Sequence, residues 1–378
     1  MGMNEQHWTA SAALLWPALA FAAAAEGASA VARELAGMAL RSNDRAQPDQ
    51  SWTTPNLVAL ELDSVRLRDF STVASGPATL VCAPYALHNA MIVDFAPGHS
   101  LVEALRGAGL TRLFVTDWRS ASPAMRDFSI DTFLADLNVL VDHVGAPLDL
   151  IGLCQGGWLA LMYAARFPAK VRKLVLAGAP VDVAAADSFL ARAVAAAPPA
   201  FFRELVALGE GRVPGKHLFE RWCPAVLDRD AISALLQTPA AIDDHAFAPL
   251  RARFEVWYRT VVDLPGRYYL QAVERLFRAN ELATGRFVAL GQRVDLAAVR
   301  TPIYLLAASH DELVAPQQVL ATEQLVATAP SDLAKSVLPC GHFSLFMGRD
   351  VLAQTWPRIA AWLRAPPSTD MQPLQSAA

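Results

Sequence analysis

Six residues, Gly152-Leu153-Cys154-Gln155-Gly156-Gly157, limit what this chain can become. They close the apolar run 148–153 and open the helical stretch 158–167. A short apolar run bounded by turn residues reads as a buried strand. A strand that turns straight into a helix through Gly-x-Cys-x-Gly holds the central side chain on a strained backbone at the sheet edge. The flanking glycines let the neighbouring chain pack against that turn. The helix N-terminus that follows favours a thiolate and a developing oxyanion. The segment therefore predicts Cys154 as a nucleophile, against the blander alternative of a buried structural cysteine in a glycine-rich turn.

The surrounding pattern fits. Strand-like runs at 57–62 and 65–69 flank a short turn at Asp63-Ser64. Apolar runs at 78–83, 110–115, 148–153 and 171–177 then alternate with helical stretches at 99–108, 130–144 and 158–167. Such alternation implies a mostly parallel sheet with helices on both faces. It lapses between about residues 183 and 300, a stretch of helical periodicity rich in Phe, Trp and Tyr. It resumes with a strand at 303–307, a helix at 317–328, a strand at 335–338 and a helix at 351–363. A helical insertion between two late strands reads as a cap over the C-terminal sheet edge, where ligands of open α/β sheets bind. The chain accordingly divides into an Ala-rich helix and linker (1–54), a first core part (55–182), a helical cap (183–300), a second core part (301–364) and a disordered tail (365–378).

A nucleophile at such a turn needs an acid and then a histidine after later strands. Asp311 follows the run 303–307, and His342 follows the run 335–338. His342 is expected to take the Cys154 proton, with Asp311 fixing its tautomer. Asp182 is the rival acid and His310 the rival base. The oxyanion hole is expected from the backbone N–H of Gln155 and one from the loop after the strand at 78–83, at Tyr85 or Ala86. His88, in the same loop, is a candidate pocket residue or a loop-packing one.

Composition narrows the partners. Lys and Arg total 32 against 36 Asp and Glu, so no global positive field exists to grip nucleic acid. Four scattered cysteines without a CxxC pair exclude a disulfide scaffold and a cysteine-rich zinc site, and suit a reducing compartment. Cys82 and Cys223 read as packing, and Cys340 as packing or an oxidation-prone neighbour of His342. No spacing such as HExxH suggests a metal. Residues 11–40 hold 13 alanines, but the leader before them lacks Lys and Arg, and the apolar stretch 12–25 is short of a membrane span. An Ala-rich helix in a cytoplasmic protein is the expectation.

With these residues placed, the chain resembles polyhydroxyalkanoate synthases. The resemblance lies in Gly152–Gly157, the stretch 83–105 (APYALHNAMIVDFAPGHSLVEAL), Asp117-Trp118-Arg119, Gly291-Gln292-Arg293-Val294-Asp295-Leu296, 311–316 and Gly341-His342. It covers roughly residues 55–364. It implies an α/β-hydrolase fold with a helical cap and a Cys154–His342–Asp311 triad. It also implies transfer of 3-hydroxyacyl groups from coenzyme A onto a growing polyester, CoA being a substrate and no cofactor being held permanently. The compact length is similar to the short class, which works with a separate partner subunit; a homodimer and a polyester granule surface are the other partners considered. The resemblance places Asp94 near the site in a supporting role. Departures surround the pocket: the loop reads Pro84-Tyr85-Ala86-Leu87-His88-Asn89, Trp158 follows the double glycine, and Phe343-Ser344 follow the histidine. These put substrate in question, with Trp158 and His88 as candidate pocket residues.

Thiol chemistry agrees. Moving an acyl group from CoA to cysteine exchanges one thioester for another at nearly equal energy, and a thiol ionises far more readily than an alcohol. The alternative is a hydrolase of hydroxyalkanoate oligomers or acyl-thioesters with the same triad. Intracellular depolymerases usually carry proline where Gly156 stands, and dienelactone hydrolases are shorter and uncapped. A third reading is a catalytically silent relative that binds granules or a synthase subunit.

Overall fold

A computed structural model of the chain describes residues 51–216 and 228–366. The Ala-rich segment, Cys223 and nearly all of the tail lie outside the described residues.

The centre is an eight-stranded sheet: β1 (Leu57–Glu61), β2 (Val65–Asp69), β3 (Thr79–Cys82), β4 (Leu113–Trp118), β5 (Leu148–Leu153), β6 (Val171–Ala177), β7 (Ile303–Ala308) and β8 (Leu333–Leu338). Their spatial order is β1-β2-β4-β3-β5-β6-β7-β8. β1 pairs antiparallel with β2, and β2 with β4; all other neighbours are parallel. Every residue of β3, β5 and β7 is buried. That is why these strands read as unbroken apolar runs and not as alternating ones. Successive residues still point to opposite faces. Leu80, Leu150 and Leu174 enter one hydrophobic cluster, whereas Val81, Ile151 and Val175 enter the other.

Helix α1 (Leu101–Gly107) joins the second cluster through Leu101, Val102 and Leu105. Helices α2 (Ile130–Val144) and α3 (Gln155–Arg166) join the first, α2 through Phe133, Leu137, Leu140 and Val144. This is the i, i+4, i+7 stripe legible in the sequence. Ser100 and Ser129 cap α1 and α2 by accepting from the N–H groups of Glu103 and Thr132.

Several boundaries differ from expectation, three of them for a clear local reason. The strand expected at 110–115 runs from Leu113 to Trp118, because Gly109, at φ +92°, ends α1 and the Leu110 N–H still bonds back to the Leu105 carbonyl. The helix expected at 317–328 is two short ones, Pro316–Leu320 and Thr322–Leu325. The Thr322 hydroxyl bonds the Val319 carbonyl and competes with the backbone there. The final helix breaks into Arg349–Gln354 and Trp356–Arg364, since Pro357 has no N–H to carry the ladder across.

Between β6 and β7 the described chain is largely helical: α4 (Phe189–Ala196), α5 (Pro199–Leu208), α6 (Arg229–Leu236), α7 (Asp244–Arg259) and α8 (Gly266–Gln271), which continues as the π-helical turn Ala272–Arg278. Two short strand pairs interrupt it, Arg212–Val213 with Leu264–Pro265, and Val288–Ala289 with Gln292–Arg293. The backbone of Leu87 accepts from Val262 N–H at 2.8 Å, so this inserted segment is tied to the loop that leaves β3.

Candidate active site

Cys154 stands between β5 and α3 with φ +49° and ψ −118°, a conformation that side chains other than glycine adopt only at a cost. Two backbone hydrogen bonds pin it. Its N–H donates to the Ala177 carbonyl at 2.8 Å, and its carbonyl accepts from Gly157 N–H at 2.9 Å. The glycines around it are a matter of space. A methyl on Gly152 would lie 2.5 Å from the Gly157 Cα, and one on Gly156 would overlap the carbonyl oxygens of Cys82 and Ala83. Those oxygens belong to the end of a central strand and cannot retreat. Gly156→Ala is therefore expected to destabilise the fold by about 2–4 kcal/mol. Urea unfolding reads this, and an unchanged midpoint would show that β3 and α3 separate freely.

Three elements bring their partners to Cys154. Asp311 follows β7 and His342 follows β8, and their side chains are buried. Asp311 Oδ2 lies 2.6 Å from His342 Nδ1. The other carboxylate oxygen accepts from the N–H groups of Leu313 and Val314, each at 2.9 Å. The carboxylate is thus oriented by its own loop before it meets the imidazole. His342 also hydrogen-bonds Cys154. Burial alone would push the imidazole pKa down, but the neighbouring Asp311 carboxylate and Cys154 sulfur hold it well above its ordinary value. Glu312, next along, is pushed up to about 7 by burial and by Asp311.

The rivals fall elsewhere. Asp182 Oδ1 accepts from Asn280 Nδ2 and Ala184 N–H, and His310 is exposed. Cys82 and Cys340 are buried thiols pushed up to about 12, chiefly by burial. Cys340 therefore packs and is poorly placed for oxidation.

A cavity opens over Cys154 and His342, walled largely by apolar side chains, among them Ile92, Leu190, Trp257, Phe277, Leu313 and Phe346. Leu190, Trp257 and Phe277 come from the inserted segment. Which of its many aromatics would reach the site has no sequence signal, because that depends on how the segment folds back. Pro84 and Ala86 also line this wall. The Tyr85 ring turns into the core against Trp118, Phe133 and Tyr268, and its hydroxyl donates to the Arg119 carbonyl at 2.9 Å. Gln155 is the first residue of α3, at the edge of the same cavity.

Two candidate pocket residues lie away from it. Asp94 is fully buried, and its carboxylate is occupied by Thr54 N–H, the Thr54 hydroxyl and the Ser100 hydroxyl at 2.8, 2.8 and 2.6 Å. It ties the chain before β1 to the cap of α1 and is absent from the cavity wall. Trp158 is a core residue stacked on Tyr268 at 6.1 Å. It sits on a helix buried on nearly every side, so its place after the glycines does not turn it to the cavity.

His88 does line the cavity, tilted against Trp257 at 4.6 Å and stacked on Tyr258 at 5.5 Å. Burial lowers its pKa to about 3, opposed only in part by a hydrogen bond with the Thr260 backbone. It is a neutral wall residue. In the unfolded chain this imidazole takes its proton near 6.5, so between about 6.5 and 3 the unfolded state binds a proton that the folded state does not. Stability is thereby lost as pH falls through that window. His88→Phe is expected to reduce the drop in urea midpoint between about pH 7.5 and about pH 5. An equal drop in both proteins would show that other groups cause it.

Among the described residues no cluster of three or more His, Cys, Asp or Glu could hold a metal ion, and no helix is long and apolar enough to cross a membrane.

Residues 112–348 match the alpha/beta hydrolase fold family. Over 320 residues the chain is 30% identical to the poly(3-hydroxyalkanoate) polymerase subunit PhaC of Synechocystis sp., spanning 82% of this chain and 84% of that one. It is 25% identical over 357 residues to the subunit of the same name from Haloferax mediterranei, spanning 90% and 71%. Among solved structures, a protein assigned as a lipase from Acinetobacter baumannii AYE superposes with a TM-score of 0.50 at 12% identity, covering 89% of this chain and 96% of that one. That likeness is one of fold.

Proposed function

The chain belongs to the α/β-hydrolase fold family and, within it, to the poly(3-hydroxyalkanoate) polymerases, and from that membership we propose an acyl transfer carried by Cys154. The protein is a polyhydroxyalkanoate synthase-like acyltransferase. The observation that supports the residue roles is the Cys154–His342–Asp311 arrangement on a strained strand-to-helix turn beneath an apolar cavity.

His342 accepts the Cys154 thiol proton, and the raised imidazole pKa favours the imidazolium that results. The thiolate attacks the thioester carbonyl of a 3-hydroxyacyl-CoA. The negative oxygen is met by the N–H of Gln155 and an N–H of the Tyr85–Ala86 loop. As the carbon–sulfur bond to CoA breaks, the imidazolium returns its proton to the departing thiolate, leaving an acyl-Cys154 thioester and neutral His342. The hydroxyl of a second acyl unit or chain end then attacks that thioester. His342 takes the hydroxyl proton and delivers it to the Cys154 sulfur, so an ester bond forms as the thioester breaks. Asp311 holds the Nδ1 proton throughout. The apolar cavity supports transfer to a hydroxyl over transfer to water by admitting little of the latter.

CoA is then a substrate that arrives and leaves, as a hydroxyacyl thioester does in a reducing interior. The relatives are named as subunits, which supports a separate partner chain for this one; a homodimer and a granule surface belong to the same proposal. Purified protein mixed with 3-hydroxybutyryl-CoA should release CoA and form polymer together. CoA release without polymer would move the reading to a thioesterase. Degradation of oligomers without any reaction on the thioester would move it to a depolymerase.

A further inference from the structure

Behind the catalytic cavity lies a second one, enclosed by Val194, Leu264, Tyr268, Tyr269, Ala272 and Val273. Gln155, Leu190 and Phe277 line both, so the two cavities share the wall these residues form. Two of the three are apolar. Gln155 alone brings hydrogen-bonding groups to that wall, and it is buried.

One end of that amide has a partner. The Tyr268 hydroxyl stands 3.5 Å from Gln155 Oε1 and 3.4 Å from the Tyr85 carbonyl oxygen. Tyr268 is itself buried, and burial pushes its phenol well above its ordinary pKa, so it remains a donor. With Oε1 turned to the Tyr268 hydroxyl, Nε2 is the other end of the amide. Nε2 has no protein acceptor among the described residues. An amide N–H that faces an otherwise apolar cavity is a ready donor to an oxygen that an entering acyl group brings.

We propose that Gln155 is a specificity-determining residue. Its Nε2 donates to the oxygen on C3 of the acyl group while a methyl-sized end beyond C3 lies at the wall shared with the second cavity, and Tyr268 positions the amide. This rests on the acyl-transfer reading above. The substrate class it selects is the 3-hydroxyacyl thioester over the plain acyl thioester. Gln155 is well placed for it, since its backbone N–H is the proposed oxyanion donor and its side chain lines both cavities. An acyl group lacking the C3 oxygen would leave the amide unsatisfied in the complex, which is how a polar site rejects an apolar analogue.

The test is single-turnover acylation of Cys154 by 3-hydroxybutyryl-CoA and by butyryl-CoA, which differ only in that oxygen. The wild type should prefer the hydroxylated thioester by about tenfold or more, the range of one buried hydrogen bond. Gln155→Leu keeps the backbone N–H and nearly the side-chain volume; its preference should fall to near unity. Tyr268→Phe should lower the preference partly, and it serves as the readout if Gln155→Leu does not fold. A merely structural role for Gln155 would slow both thioesters alike. A wild type without preference, or a Gln155→Leu variant that keeps it, would overturn the inference while acyl transfer stands. A wild type that neither thioester labels would overturn both.

Discussion

Asp311→Asn is expected to slow acylation of Cys154 by 3-hydroxybutyryl-CoA about 10³- to 10⁴-fold, with a far smaller change in KM. The reason is the order in which the carboxylate is held. One oxygen already accepts from two backbone N–H groups, those of Leu313 and Val314. In the amide, the remaining oxygen must stay with those donors, which turns the NH₂ toward His342 Nδ1. A donor there forces the imidazole proton onto Nε2, where it can no longer accept from Cys154. The same change removes the charge that holds the imidazole pKa up against its burial. Stopped-flow release of CoA reads the rate, and a urea midpoint close to wild type shows that the fold survives. Asp182→Asn is the control, since that carboxylate is engaged with Asn280 and should affect the rate no more than a few-fold. A near-wild-type rate for Asp311→Asn would remove Asp311 from its role.

Cys154→Ala should have the larger effect, lowering CoA release by about 10⁴-fold or more, because no other described thiol can replace it. Cys82 and Cys340 are both buried and pushed up to about 12, so neither offers a thiolate near neutrality. The proposed oxyanion donors and the cavity are untouched by this change, so substrate should still bind. Cys154→Ser is expected to fall between, since an alcohol is a poorer nucleophile here and the thioester would have to become an ester and then react again. Rapid CoA release by Cys154→Ala would show that the chemistry passes through another group, or directly to water.

Much of this arrangement was legible in the chain. The strands Leu148–Leu153 and Val171–Ala177 and the helix Ile130–Val144 emerge at their observed bounds from local apolar pattern and turn residues. Asp311 and His342 were legible because a parallel sheet sends the loops after its strands to one edge, so their order along the chain locates them. The misplaced residues are those whose surroundings are distant in sequence. Asp94 belongs with Thr54, 40 positions away, and adjacency to an informative segment cannot show that. Trp158 follows the glycines, but the face of α3 it occupies is set by how the helix packs on the sheet. Gln155 and Tyr268 meet across 113 positions, from two sides of the inserted segment's fold-back. No periodicity in either stretch records the contact.

The most direct test of the account is the mass of the Cys154 peptide after brief mixing with 3-hydroxybutyryl-CoA, acid quench and digestion. Acyl transfer through Cys154 requires that this peptide, and no other cysteine peptide, gains one or more 3-hydroxybutyryl groups in a linkage that hydroxylamine removes. An unmodified Cys154 in a sample that has released CoA, or the label on a different residue, would contradict it.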